Sequence, residues 1–545
     1  MKIQFLGAAN VVTGSNILIT THNHKILLDC GMFQGSEALE SLNHEAFAFN
    51  PAEIDFLFLS HAHIDHSGRI PKLVKEGFRG KILCTQGTKD LCDIMLADSG
   101  HIQENDTEWE NKKRRRSGLP LLKPLYTASD ALFSLPYFEP VLYDQKIDLD
   151  GEISVRFRDA GHILGSSIIE IWIEENGDTV KIVFSGDLGM KGKPLIRDPE
   201  IIEEADYLIL ESTYGNENHK SIENRIKRLT DIINKTVLRG GTVLIPSFAV
   251  GRTQELIYEL KQYYETNKDL DMSMRIPIYI DSPMAINATE IFKKNSYCFD
   301  EKAKNIILSG DNPLDFDNLY FIRDYRESMA LNNSNFPKVI ISASGMCTAG
   351  RIRHHLKHNL WKEKNSLVFV GYQAEGTLGR ILKDGAKSVK LLGETIAVFC
   401  EVYSVEGFSG HADQRQLIQW LKGFNKKPKK IFLVHGEEDS LKGLAQSIKS
   451  EINVSTIIPN MGYIFQMEND VLRAYSGEIL DPIKRKDNIK KELNGLSQQV
   501  EFLVSQSYMF IDDKTLEKKY YELKNKLIEL QKELLDLGMI LGDKR

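Results

Sequence analysis

The chain has 545 residues, 42% hydrophobic and 27% charged, which is material for two or more ordinary globular domains. Its net charge of −7 excludes bulk electrostatic attraction to nucleic acid, so any such binding needs a local basic surface. No run of about 18 apolar residues occurs, so no membrane span is expected; six scattered cysteines without a C-x-x-C pair argue against a disulfide framework and a thiolate metal site, and favour a reducing cytoplasm.

The start, "MKIQFLGAAN", is strand-like at once and does not read as a signal peptide. "KILLDCG" (25–31), "IDFLFLSH" (54–61), "KIVFSGD" (181–187) and "YLILEST" (207–213) then share one grammar: a buried strand of about five residues that stops at a polar or acidic residue. From about 215 to 395 the pattern changes. "SIENRIKRLTDIINKTVL" and "TQELIYELKQYY" predict helices, and "GGTVLIPSFA", "IPIYIDSPM", "PKVIISASG" and "SLVFVGY" predict strands between them. That alternation suggests a parallel sheet and a second domain. The first grammar returns in "KKIFLVHGEE" (429–438), so the second domain is inserted rather than appended. In the last 65 residues, Ile489, Leu493, Leu496, Val500 and Leu503, then Leu516, Tyr520, Leu523, Leu527, Leu530, Leu534, Leu537 and Leu541, step by three and four. These heptad seams predict a two-helix hairpin that closes on itself, on the body or on a second chain.

The residues at the strand ends are Asp29, His61, Asp187, Glu211 and His435, a chemistry too uniform for chance. "HAHIDHSG" (61–68) adds three histidines and an aspartate within six positions. His61 and His63 flank a small residue and face one cation; Asp65 and His66 face a second. His162 in "AGHILGSS" offers the first cation a third imidazole, Asp187 in "SGDLG" has two oxygens with which to bridge, and His435 completes the second ion. Neutral imidazoles with carboxylates suit zinc, and a shared Asp187 gives four ligands to each ion. The blander reading, a core or surface histidine, is kept for His22, His24, His44, His219, His354, His355 and His358, while His101 stays open.

H-x-H-x-D-H with a following His, Asp and His resembles the metallo-β-lactamase fold. "LILESTYG", "GFSGHAD" and "LVHGE" resemble motifs A, B and C of its β-CASP nucleases, and "IPSFAVGRTQE", "YIDSPMA", "SASGM" and "GYQAEGTLGR" resemble further β-CASP segments. The family includes the endonuclease subunit of the cleavage and polyadenylation factor and bacterial RNases. The resemblance covers about residues 1–465. It implies an αββα sandwich with an inserted β-CASP α/β domain, here followed by a C-terminal helical extension. The expected parts are 1–212 and 395–468 for the sandwich, 213–394 for the insertion and 469–545 for the extension. The N-terminal RNA-binding extension of archaeal relatives is not expected, since the fold begins at Met1.

Carried over by motif, the resemblance implies two Zn2+ per chain. His61, His63 and His162 hold the first; Asp65, His66 and His435 hold the second, with Asp187 between them. Asp29 orients the histidine loop from behind rather than ligating. Asp65, Glu211 and His411 are the catalytic residues: zinc-activated solvent attacks phosphorus, and His411, its ring held by Glu211, protonates the departing 3′ oxygen. The implied substrate is single-stranded RNA, cut internally to a 5′-phosphate and a 3′-hydroxyl. Ser344 and Gly345 would offer hydroxyl and N–H groups to a phosphate, and Arg252 and Arg380 would clamp phosphates unless they are ordinary ion pairs. "NKKRRRSG" (111–118) reads as a solvated loop or an RNA contact. A 5′-to-3′ exoribonuclease of the same family and a non-catalytic RNA-processing scaffold are the alternatives. A scaffold should have lost ligands, and none is missing. A small-molecule hydrolase would lack the insertion, a di-iron relative would carry Glu at His63, and a DNA-repair relative would lack His435.

Overall fold

The computed structural model describes residues 1–475 except 176, 220–223, 268–275, 375, 469 and 470, and beyond them only 524–526, 528, 529 and 532. The predicted helical hairpin of the tail therefore lies outside the described residues. Among the described residues no helix is long and apolar enough to cross a membrane.

Strands of alternating burial sort their side chains onto two faces. Ile17 and Ile19 point one way and Leu18 the other; Ile26 and Leu28 one way and Leu27 the other. One face of this eight-stranded sheet meets a seven-stranded sheet across a core that includes Phe5, Phe58, Phe157, Ile171, Ile209 and Phe432. The outer face of the first sheet is covered by the helices Ile70–Lys75 and Gln86–Arg116, through Leu73, Leu91 and Leu96. The outer face of the second is covered by Gln414–Lys422 and Glu438–Glu451, through Leu417, Leu421, Leu444 and Ile448. This is the expected four-layer αββα sandwich.

The inserted part builds a third sheet. Its six strands, Leu319–Phe321, Ile278–Ile280, Lys338–Ser342, Thr242–Pro246, Ser366–Phe369 and Glu401–Ser404 in spatial order, are all parallel. Both faces are buried, against Leu256 and Leu260 on one side and Ile352 and Leu356 on the other. Buried on both faces, its strands read as continuous apolar runs.

Two strands lie across the expected boundaries. The sixth strand of the inserted sheet, Glu401–Ser404, lies past residue 394. The strand Val471–Tyr475 pairs with Ile464–Glu468 and extends the first sheet, so the chain past 469 opens with a strand. In both places a ladder captures a short segment that carries no long apolar run. "NKKRRRSG" is not a loop either: through Arg116 it is the last turns of the 31-residue helix Gln86–Arg116. That helix is capped at its start by the Thr85 hydroxyl, and its C-terminal cations complement the helix dipole.

Candidate metal centre

Two sequence devices bring the strand ends together. Asp29 and His435 follow their strands directly, and both take positive φ, 58° and 52°. That conformation is uncommon for such residues and turns the chain sharply out of the sheet. Gly31 provides the close approach: a Cβ there would sit 1.6 Å from the Asp65 carbonyl oxygen. The histidine loop lies on this turn, with Ser15 N–H donating to Asp65 O at 2.8 Å and Cys30 N–H to His66 O at 2.8 Å.

Buried Asp29 accepts from Ser60 N–H (2.8 Å) and from the Ser15 and Ser60 hydroxyls (3.0 Å each), and lies 2.7 Å from His66 Nδ1. A carboxylate there fixes the proton on Nδ1 and leaves His66 Nε2 as the lone-pair nitrogen. Gly410 O, 3.0 Å from His162 Nδ1, fixes His162 in the same tautomer. The nitrogens that could ligate then face one another. His63 Nδ1 is 3.1 Å from His61 Nε2 and 3.2 Å from His162 Nε2, and His66 Nε2 is 3.1 Å from His435 Nε2. Asp187 stands between the groups, with Oδ2 3.5 Å from His61, 3.3 Å from His66 and 3.7 Å from His162, and Oδ1 3.7 Å from His435 Nδ1.

Burial, with the neighbouring imidazoles, holds His61 and His162 well below the ordinary imidazole range and brings His63 down to about 4, so all three are neutral. Burial opposes ionisation of Asp187, but His435 and His66 outweigh it and keep the carboxyl well below the usual range.

These residues fit metal ions. Metal–nitrogen bonds of about 2.0–2.1 Å in a tetrahedral shell put neighbouring donors about 3.3 Å apart, close to the nitrogen–nitrogen distances here. Asp187 Oδ1 is buried with no hydrogen-bond partner. The ligand atoms of His61, His63, His162 and Asp187 lie within 4.8 Å of one another, as do those of Asp65, His66 and His435. Asp187, Glu211 and His411 also cluster within that limit. Glu211 is committed elsewhere: Oε1 accepts Leu188 N–H and Oε2 the Thr213 hydroxyl, each at 2.6 Å. His411 Nδ1 lies 3.4 Å from Glu211. Burial would lower the His411 pKa, but Glu211, then Asp187 and Asp65, raise it above the ordinary value.

The other predicted contacts lie farther out. Arg252 is buried and ion-paired with Glu255. Arg380 faces Asp384 at 2.9 Å on the helix Leu378–Lys383. The Ser344 hydroxyl accepts the N–H groups of Thr348 and Ala349, 3.1 Å each, and Gly345 O accepts from Gln373 Nε2 at 3.0 Å. His101 is exposed on the long helix.

Sequence reasoning missed the supports. Thr213 joins Glu211 to His435, with Oγ1 3.1 Å from His435 Nδ1; Ser60 Oγ lies 3.1 Å from His61 Nδ1; and Lys193 Nζ donates to His162 O at 2.8 Å. His219, read as structural, holds the His411 main chain through Nε2, 3.1 Å from His411 O. Thr213 lies within "LILESTYG" and Ser60 adjoins "HAHIDHSG", which was the available signal.

Residues 9–247 match the model of the metallo-beta-lactamase superfamily, 253–382 that of the Beta-Casp domain, and 395–459 that of the Zn-dependent metallo-hydrolase RNA specificity domain. The chain is 38% identical over 446 residues to ribonuclease TTHA0252 of Thermus thermophilus, covering 82% of this chain and 95% of that one. It is 32% identical over 469 residues to the transcription termination factor FttA of Methanocaldococcus jannaschii, and 32% over 480 to that of Pyrococcus horikoshii, each covering 84% of this chain and 70% of the relative. With three domain models matched in order and a ribonuclease aligned over nearly its whole length, the chain belongs to the β-CASP ribonucleases of the metallo-β-lactamase superfamily.

Proposed function

We propose that the protein is a di-zinc ribonuclease that cuts single-stranded RNA internally and leaves a 5′-phosphate and a 3′-hydroxyl. The observation that carries this reading is the place of Asp187, one buried carboxylate between two separate imidazole groups. His61, His63 and His162 would hold one ion, Asp65, His66 and His435 the other, and Asp187 both. Zinc bound there supplies Lewis acidity toward phosphate oxygens and lowers the pKa of water toward about 7.

The chain's own groups supply the rest. Asp65 is the partly exposed carboxylate of the set; its Oδ2 lies 3.5 Å from His435 Nε2 and 3.8 Å from His66 Nε2 and would ligate, which leaves Oδ1 to take up a proton from solvent. His411 turns Nδ1 toward Glu211, so Nε2 is the atom that gives a proton to the departing ribose oxygen. Glu211, pinned by Leu188 and Thr213, keeps that ring oriented and favours its protonated form. Ser344 and Gly345 are the proposed phosphate contacts along the inserted domain and would position the strand without reading sequence; Arg252 and Arg380 are engaged as ion pairs with Glu255 and Asp384 instead.

The test uses the zinc-loaded protein on single-stranded RNA labelled at the 5′ end or internally. Internal fragments whose 3′ ends are ligatable hydroxyls, lost with chelator and restored by zinc, support the proposal. Stepwise release of mononucleotides from the 5′ end would replace it with the exonuclease reading. Asp187→Asn should lower the metal content at both positions; retention of a full complement by that variant contradicts the shared carboxylate.

A further inference from the structure

In a parallel α/β sheet, ligands bind in the crevice beyond the carboxyl ends of the strands. The register of the inserted sheet shows which residues stand there. Thr242 pairs with Lys338, Val243 with Ser366, and Ser366 with Glu401. Carried past the last paired residues, the same offsets set Phe248 level with Ser344, Gly371 and Glu406, and Tyr372 one step on, level with Gly345 and Gly407. Three residues beyond Gly407 is Gly410, whose carbonyl holds His162, and next to it is His411. The edge therefore runs straight into the metal centre. The turn after Phe248 confirms the approach, since a Cβ on Gly251 would lie 3.1 Å from Ile163 Cγ2, beside His162.

Two residues along this edge are aromatic and exposed: Phe248 is 44% exposed and Tyr372 53%. Gly345 lies against the Phe248 ring, which a Cβ there would approach within 3.0 Å. A third ring, Tyr214, lies near His411, with ring centroids 6.1 Å apart. Burial chiefly, with Glu217 and Tyr372 adding, raises the Tyr214 phenol, which places Tyr372 within electrostatic reach of it.

We infer that Phe248 and Tyr372 form a stacking platform on which unpaired nucleobases next to the scissile phosphate lie, so that the enzyme reads strandedness through base faces rather than base identity. The inference rests on the RNA reading above and names what that reading leaves open. A π-face is common to all four bases, whereas a base inside a duplex has both faces covered, so the platform accepts any sequence and rejects paired RNA. Base–aromatic stacking is strong enough that losing one ring should weaken binding about tenfold.

The experiment measures affinity of the full-length chain, treated with chelator so that nothing is cut, for a fluorescent single-stranded RNA, and KM and kcat after zinc is restored. Phe248→Ala and Tyr372→Ala should each raise Kd and KM about tenfold with kcat changed far less. Phe248→Tyr and Tyr372→Phe, which keep a ring, should restore both constants. A strand carrying abasic residues around the cleavage site should bind wild type as weakly as the alanine variants bind normal RNA, and the variants should lose nothing more on it. If wild type binds and cuts RNA while the alanine variants bind normal RNA as tightly as wild type, or lose equally on normal and abasic strands, the platform is refuted. If wild type neither binds nor cuts RNA, the reading beneath is refuted and the platform with it.

Discussion

Thr213 has one hydroxyl hydrogen, and the Glu211 carboxylate takes it at 2.6 Å. The same oxygen, 3.1 Å from His435 Nδ1, is then an acceptor, so His435 carries its proton on Nδ1 and turns Nε2 toward Asp65 and His66. One hydroxyl thus sets a metal-facing tautomer and anchors the carboxylate behind His411. Thr213→Val, similar in shape but without the oxygen, should reduce zinc affinity or cleavage rate by about 10–100-fold, while Thr213→Ser keeps most of both. Competition with a chromophoric chelator reads the affinity, and wild-type values in the valine variant would contradict this role. His411→Ala should keep the metal and lose a factor of about 10²–10⁴ in cleavage of RNA. A nitrophenyl phosphodiester, whose leaving group needs no proton, should be much less affected; equal slowing of both substrates would remove the general-acid role. The cluster of proposed ligands was legible in the sequence because imidazoles and carboxylates at strand ends have few other reasons to gather. Thr213, Ser60 and Lys193 were not, because hydroxyls and single lysines occur throughout a chain and acquire a role only through what folding sets beside them.

Three cations and two carboxylates lock the inserted domain to the histidine loops. Arg225, on the helix Arg225–Leu238, reaches Glu255 at 2.9 Å and Glu259 at 2.6 Å on the helix Arg252–Thr266, and donates to Gly407 O. Glu255 also pairs with Arg252 and lies 4.0 Å from Lys193, which holds His162 O. Burial takes Lys193 down to about 8. Arg225→Met would leave Glu255 and Glu259 short of their buried partner, at a cost of about 3–5 kcal/mol. Denaturant unfolding of the metal-free chain measures this, and a loss under about 1 kcal/mol, the range of an exposed pair, would contradict it. Elements of this kind were only half visible. The apolar runs of the inserted strands announced themselves because both sheet faces are covered. The ionic junction joins residues far apart in sequence, and no local spacing encodes it. The basic run at 111–116 shows the opposite failure: its charges suggested a loop, yet the long helix Gln86–Arg116 carries polar residues along much of its length and keeps only a short apolar stretch, around Leu91, Cys92 and Leu96, against the sheet.

At the scale of the whole molecule, the two sandwich sheets deliver their strand ends to one place, and every residue of the candidate metal centre lies within the compact unit Met1–Leu480. The seams beyond it were read as a docking or self-association device. A chain truncated after Leu480 should therefore keep its zinc while changing in oligomeric state or RNA affinity. Loss of metal with the oligomeric state retained would contradict that division of labour. The central claim, metal-dependent internal hydrolysis of single-stranded RNA, is tested most directly with a circular RNA, which has no end to enter. The zinc-loaded protein should open the circle, stop when chelator is added and resume with zinc. A circle left intact while the linear form of the same RNA is consumed, or opened equally well in chelator, would contradict it.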